Sequence, residues 1–149
     1  MDIFNISFTF DWLPVLKNDG TEYHFPDNYQ LIDKKYTISA IYKWTVYEAD
    51  KDDLKIVYIG EAEILRKRIM GYLNPGPSQQ TNIRLNKLFN DYLNMGKKIS
   101  LEILSFEDIN LNGVIISGND VNESNIRKAI EQLFITIYKK ENYTLLNRE

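Results

Sequence analysis

Four side chains in this sequence have types and spacings suited to chemistry on a phosphate group. Tyr42 ends an AIY triplet, and Tyr58 lies sixteen residues later in a VYIG segment. Arg68 follows the glycine of that segment by eight residues, and Glu131 lies in AIEQLFITIYKK. An arginine offers a planar fork that matches phosphate oxygens, and a carboxylate suits a hard divalent cation.

The surrounding residues limit which chemistry these side chains could carry out. Tyr72 lies four residues after Arg68, so both would project from one face of a helix. The chain has no cysteine and one histidine, His24, which excludes a thiolate zinc site and a histidine cluster. Any metal would bind mainly through carboxylates and water, which favours Mg²⁺ or Mn²⁺.

Composition indicates one globular domain with an uneven distribution of charge. The chain has 149 residues, of which 44% are hydrophobic and 26% charged. Its net charge of −3 counts against non-specific binding to nucleic acid. Residues 64–72 nevertheless carry three cations and no acid, which would allow a local basic face. We expect a cytoplasmic protein without membrane contact, since neither an apolar span nor a secretory leader is apparent.

The elements that must position these side chains can be read from local patterns. Residues 1–36 contain Asp-Gly and proline turn signals and are predicted to be an irregular arm before a domain over 37–149. Strands are predicted over 37–48, 54–59 and 98–106, with the first two forming a hairpin around a polar turn at 50–53. Residues 107–123 are predicted to be a surface loop.

Three helices are expected from apolar residues at helical spacing. The first follows Gly60, which would end the second strand, and stops at the Asn-Pro-Gly-Pro segment. The second is expected to start at Thr81 and to stop at Gly96, and the third to be capped by Ser124. Their predicted apolar stripes are Leu65, Ile69, Tyr72 and Leu73; Leu85, Leu88, Phe89 and Tyr92; and Ile126, Ile130, Leu133, Phe134 and Ile137. The fold class is therefore α+β in the order β-β-α-α-β-α, a small antiparallel sheet of about three strands flanked by helices.

A polar segment over residues 74–84 follows the arginine helix and opens the next one. Helix N-termini present free N–H groups to phosphate, and amide and guanidinium groups can contact bases or backbone. The segment is predicted to contact DNA through four side chains: Gln79, Gln80, Asn82 and Arg84. The alternative is a helix cap with a solvated loop.

The motifs together resemble the GIY-YIG nuclease family. The resemblance rests on Ala40-Ile41-Tyr42, Val57-Tyr58-Ile59-Gly60, Arg68, Glu131 and Asn147, in that order. It spans roughly residues 37–147, and it implies a metal-dependent endonuclease that acts on DNA. Three departures are Ala40 in place of glycine, the long separation of the two tyrosine motifs, and Tyr72 where histidine is more usual.

The resemblance also implies a role for each matching residue. Tyr42 would be the base that activates water, and Tyr58 would position the nucleophile and the phosphate. Arg68 would stabilise charge on the phosphate, Glu131 would hold one divalent cation, and Asn147 would support the site. Tyr72 occupies the position of a further catalytic group.

Plainer interpretations exist for each of these residues. The tyrosines could be ordinary strand aromatics, and Arg68 and Glu131 could be solvated surface residues. A non-catalytic nucleic-acid-binding or assembly module on the same fold is the alternative function. The compact length is similar to that of restriction enzymes in the family, some of which are dimeric, so a homodimer is one expected assembly.

Overall fold

The computed structural model describes residues 1–48 and 51–148. Within that part of the chain, one six-stranded mixed sheet carries three α-helices. The strands are β1 (Ile6–Pro14), β2 (Ala40–Glu48), β3 (Lys51–Ala62), β4 (Lys98–Leu111), β5 (Val114–Ser117) and β6 (Thr144–Leu145). The helices are α1 (Leu65–Leu73), α2 (Gln80–Asn94) and α3 (Ser124–Lys140). The sheet runs in the order β1-β4-β2-β3-β6, and β5 pairs with β4 away from this path.

The predicted hairpin is confirmed, although its strands are longer than expected. β2 and β3 pair antiparallel, with Tyr42 opposite Gly60 and Trp44 opposite Tyr58. Tyr42 and Tyr58 therefore share one face of the sheet, as the two-residue period requires. The predicted turn at 50–53 is wrong for residues 51–53, which belong to β3, and residue 50 lies outside the described residues. Gly60 does not end the strand, which continues to Ala62.

The prediction of an irregular arm is wrong for residues 6–14. They form β1, an edge strand that pairs antiparallel with β4. The segment ISFTFDWLP alternates apolar and polar residues, a pattern typical of a half-buried strand. Pro14 is the last residue of the strand, a position at an edge where proline is tolerated, so it does not conflict with this alternation.

The prediction of a surface loop over 107–123 is wrong for residues 107–117, which form the end of β4, a turn and β5. β4 continues to Leu111 and turns back into β5, with Leu111 opposite Val114. The two turn residues, Asn112 and Gly113, both have positive φ, at 53° and 93°. Asn-Gly is the preferred pair for a two-residue hairpin turn whose twist matches the flanking strands. This signal was present in the sequence and was missed.

The prediction of a small antiparallel sheet of about three strands is therefore corrected. β1 and β5 each add an antiparallel pairing to β4, and the short β6 pairs parallel to β3. Two residues in β6 carry no periodic pattern, and their pairing depends on α3 returning the chain to the sheet.

The helices lie on the two faces of the sheet and create two cores. One core joins the sheet to α1, α2 and the segment 15–36, and its centre includes Trp44 and Phe89. The other joins the opposite face to α3 and includes Ile59 and Phe134. The predicted stripes of α1 and α2 pack as expected, whereas Leu133 of α3 is exposed and Arg127 and Tyr138 are buried instead.

The helix limits differ slightly from those expected. α2 begins after Gln79 rather than at a Thr81 cap, and Ser124 is the first residue of α3 rather than its cap. α1 ends before Asn74 and α2 ends just before Gly96, whose φ is 81°, as predicted. No helix in residues 1–48 and 51–148 is long and apolar enough to cross a membrane.

Candidate functional site

The candidate site lies where β3 leaves its short partner β6. β6 pairs with Ile56 and Val57, so the following residues of β3 lie at an edge of the sheet. α1 and α2 approach this edge from one face, and α3 approaches it from the other. Side chains from both faces can therefore meet around the edge beside Tyr58.

Three of the predicted site residues form a cluster of tyrosine rings. The hydroxyl oxygens of Tyr42 and Tyr72 are 2.5 Å apart, and the rings of Tyr58 and Tyr72 pack edge to face with centroids separated by 6.3 Å. Tyr42 and Tyr72 are each only 1% exposed, whereas Tyr58 is half-buried and lines a cleft. Of these three tyrosines, Tyr58 is the one that a substrate in the cleft can contact.

Burial gives these tyrosines hydroxyls that resist ionisation. It raises the pKa of Tyr42 well above its ordinary value, and nearby Tyr58 adds to the increase. Arg68 and the hydrogen bond with Tyr72 lower the pKa of Tyr42 without cancelling the effect of burial. Burial likewise raises the pKa of Tyr58 and of Tyr72. All three are therefore neutral hydrogen-bonding groups near neutral pH.

Gly60 is required by the ring of Tyr42, which crosses it on the neighbouring strand. A Cβ placed on Gly60 would overlap the Cζ and hydroxyl oxygen of Tyr42. A turn was expected at this glycine, but its backbone continues the strand. Gly60 allows the Tyr42 ring to pack closely against β3, which explains why the second tyrosine motif ends in a glycine.

Arg68 lies on α1 beside the buried tyrosines. Its side chain is exposed, and together with Lys67, Gln79 and Asn82 it lines a depression of about 430 Å³. Partial desolvation of the guanidinium lowers the pKa of Arg68, but the oxygens of Tyr42, Tyr72 and Glu61 outweigh this and raise the pKa overall. The guanidinium therefore lies within electrostatic range of these oxygens and remains open to solvent.

Glu131 lies on α3, which packs on the sheet face opposite α1 and α2. It is half-buried, and its carboxylate lines the same cleft as Tyr58. Burial raises the pKa of Glu131, a hydrogen bond from Gln132 partly offsets this, and the Glu61 carboxylate raises it further. The charge of Arg68 also acts on Glu131, so the two groups lie within electrostatic range although they line adjoining depressions.

Two residues that were not predicted from the sequence, Glu61 and Arg127, complete this arrangement. Arg127 is 5% exposed, and its Nε donates to Glu61 Oε2 at 2.7 Å. Its Nη1 also donates to the carbonyl oxygens of Val121 and Asn122. Arg127 lies four residues before Glu131 and so on the same helix face, which was the available signal. The long-range partner of Arg127 could not be read from that spacing.

Asn147 acts on the backbone of β3. Its Nδ2 donates to the Ile59 carbonyl oxygen at 2.7 Å, and its Oδ1 accepts from the Ile59 N–H at 3.0 Å. Both polar atoms are engaged with the residue next to Tyr58. The side-chain amide of Asn147 therefore extends the β6 pairing by one more pair of hydrogen bonds and holds the part of β3 that carries Tyr58.

The four predicted DNA contacts divide between the two depressions. Gln80 and Arg84 line the cleft of about 420 Å³ that holds Tyr58 and Glu131. Gln79 and Asn82 line the depression that holds Arg68, and Asn82 Nδ2 donates to Gln79 Oε1 at 3.1 Å. Gln79 Oε1 also accepts from the Gly76 N–H, which is the loop-capping role named as the alternative. The start of α2 thus forms the ridge between the two depressions.

The described residues at this edge offer a cation one cleft carboxylate, that of Glu131, so water and substrate would have to supply most of its ligands. Among residues 1–48 and 51–148, no group of three or more histidine, cysteine, aspartate or glutamate side chains could enclose a metal. Mg²⁺ does not need such a cage, because it is commonly bound by one or two carboxylates together with phosphate oxygens. Glu131 supplies one carboxylate, and a cation beside it would offset the burial and the repulsion from Glu61.

Comparison with known proteins identifies no similar protein. No family model matches the chain, and no curated protein or solved structure is significantly similar to it. The resemblance to the GIY-YIG family therefore rests on the sequence motifs alone.

Proposed function

We propose that this chain is a divalent-metal-dependent endonuclease of the GIY-YIG type that hydrolyses phosphodiester bonds in DNA. The observation that carries the proposal is that Tyr58 and Glu131 line one cleft, while Arg68 lines the depression on the other side of the start of α2. The ring of Tyr58 packs against Tyr72, whose hydroxyl contacts that of Tyr42. A guanidinium, a carboxylate and neutral hydroxyls within range of one another suit a phosphate whose charge grows during reaction.

The tyrosines are proposed to orient the attacking water and the Arg68 guanidinium rather than to take a proton from the water. Because burial raises the pKa of Tyr42, that residue is a poor base at neutral pH, and it has little access to solvent. We therefore assign the contact with the attacking water to Tyr58, which lines the cleft. We assign Tyr42 and Tyr72, whose oxygens act on the pKa of Arg68, to positioning its guanidinium.

The reaction proposed for this site is a direct displacement. The oxygen of a water molecule oriented by Tyr58 bonds to phosphorus, and the bond from phosphorus to the leaving oxygen breaks. The proton of the attacking water passes to the solvent in the cleft, and the leaving oxygen takes up a proton from the same solvent. Arg68 stabilises the negative charge that builds on the phosphate oxygens. Glu131 would hold the cation, which when bound supplies Lewis-acid stabilisation of the same charge.

The test is cutting of supercoiled plasmid DNA in the presence of Mg²⁺ or Mn²⁺. We expect wild-type protein to nick or linearise the plasmid and a chelator to stop the reaction. The rate of cutting should fall by about 100-fold or more in Arg68→Ala and in Glu131→Gln, because each change removes one preorganised charge-stabilising group. Matched controls are Lys87→Ala and Glu107→Gln, which remove exposed charges outside both depressions. Cutting that survives in both site variants would refute the assignment.

A non-catalytic nucleic-acid-binding or assembly module is the second candidate. The burial of Tyr42 and Tyr72 favours a non-catalytic role, and the net charge of −3 favours assembly with a protein within that role. It predicts DNA or protein binding without metal-dependent cutting, and binding that is unaffected by Glu131→Gln. The plasmid assay and a binding assay on the same preparations separate the two.

A further inference from the structure

The cleft that holds Glu131 does not end there. A second depression of about 740 Å³ adjoins it, and the two share four lining residues: Gln132, Ile135, Asn147 and Arg148. The shared residues make one continuous groove. It runs from Tyr58 and Glu131 along the C-terminal half of α3 to β6, and none of the predicted DNA contacts lies in its outer half.

The described lining of this groove is strongly cationic. It contains four cations, Arg84, Lys139, Lys140 and Arg148, and one acid, Glu131, at its inner end. This contrasts with a chain whose net charge is −3. Lysines in the last turn of a helix also complement the helix dipole, which would explain Lys139 and Lys140 alone. It does not explain Arg84 from α2 or Arg148 after β6, which face the same groove.

We propose that the outer half of the groove binds the phosphate backbone of one DNA strand as it leaves the cleft. The inference rests on the proposed function for the identity of the ligand. Cations from α2, from α3 and from the segment after β6 line one continuous groove, which fits an extended polyanion better than a compact anion. Because lysine and arginine contacts to phosphate carry no sequence information, the groove fixes the register of the strand and not the base sequence.

The experiment measures binding of a short fluorescent DNA duplex at several salt concentrations, with chelator present to prevent cutting. The test variant is Lys140→Gln with Arg148→Gln, both exposed positions. The control, Lys34→Gln with Lys98→Gln, makes the same charge change at exposed lysines outside the groove. Thermal melting of each variant checks that the fold is retained.

Each cation that neutralises a phosphate contributes about 0.9 to the magnitude of the slope of log affinity against log salt. Because the groove variant lacks two cations, we expect the magnitude of its slope to be smaller than that of the wild-type protein by about 1.8. Extrapolated from about 1 M salt, this corresponds to about 60-fold weaker binding near 0.1 M salt. The control should keep the wild-type slope. A slope unchanged in the groove variant, or lowered equally in the control, would overturn the proposal.

Two further measurements identify which proposal fails. Wild-type cutting that persists in the groove variant with unchanged affinity would reject the groove and leave the nuclease standing. Absence of cutting in wild-type protein, together with the predicted decrease in salt dependence, would reject the nuclease and retain the groove. Tighter binding of a polyglutamate peptide than of DNA, abolished in the groove variant, would assign the groove to an acidic protein and overturn the proposal.

Discussion

The buried ion pair between Arg127 and Glu61 gives the sharpest prediction about stability. The two side chains are 6% and 15% exposed, and Nε and Oε2 are 2.7 Å apart. Replacing Arg127 with methionine leaves Glu61 buried beside Glu131 without its cation, and it leaves two backbone carbonyls without their donor. Removing one partner of a buried pair typically costs about 3–5 kcal/mol. For a chain of this length, that cost lowers the melting temperature by about 10 °C.

The assay is urea denaturation followed by circular dichroism, with Lys128→Met as the control. Lys128 is the exposed neighbour of Arg127 on α3, so its replacement tests the helix without the ion pair. The double variant Arg127→Met with Glu61→Gln should recover part of the stability, because it removes the uncompensated charge. A destabilisation below about 1 kcal/mol in Arg127→Met, or an equal destabilisation with and without Glu61→Gln, would refute this reasoning.

The same variant has a consequence for the proposed activity. With Arg127 gone, the charge of Glu61 acts more strongly on Glu131 and raises the pKa of Glu131 further. The acid limb of the cutting profile should then move to higher pH than in wild-type protein. A profile that does not move would mean that Glu61 and Glu131 are screened from each other.

Three other outcomes are expected. Gly60→Ala should lower the free energy of unfolding by about 1–3 kcal/mol, because the new methyl overlaps the buried Tyr42 ring. The destabilisation caused by Gly60→Ala should be smaller in a Tyr42→Leu background, and an equal destabilisation there would contradict the packing explanation. Tyr58→Phe should slow plasmid cutting more than Tyr42→Phe, because Tyr58 lines the cleft and Tyr42 is buried; the reverse order would restore Tyr42 as the base. Glu131→Gln should reduce cutting by about 100-fold or more yet stabilise the fold at neutral pH, because the raised pKa of Glu131 means that folding disfavours its ionised form. This gain in stability should disappear as the pH falls below the ordinary glutamate range, and a gain that persists there would not come from ionisation.

Local patterns in the sequence were enough to predict the elements that carry the site. The alternation in β2 and β3 predicted the hairpin and put Tyr42 and Tyr58 on one face. Helical spacing predicted the buried stripes of α1 and α2. The strand β1 and the Asn112-Gly113 hairpin were also readable from local signals and were missed, so the prediction of a small sheet was wrong.

The sequence by itself determined which side chains are available and which of them share a strand face or a helix face. Only the tertiary structure decided how exposed each hydroxyl is and which charges face one another. Glu61 and Arg127 are 66 residues apart, and Ile59 and Asn147 are 88 apart. Such contacts depend on how α3 packs across the sheet, and local periodicity carries no information about them. For the same reason the burial of Tyr42, which raises its pKa and moves the proposed water contact to Tyr58, could not be derived from the motif alone.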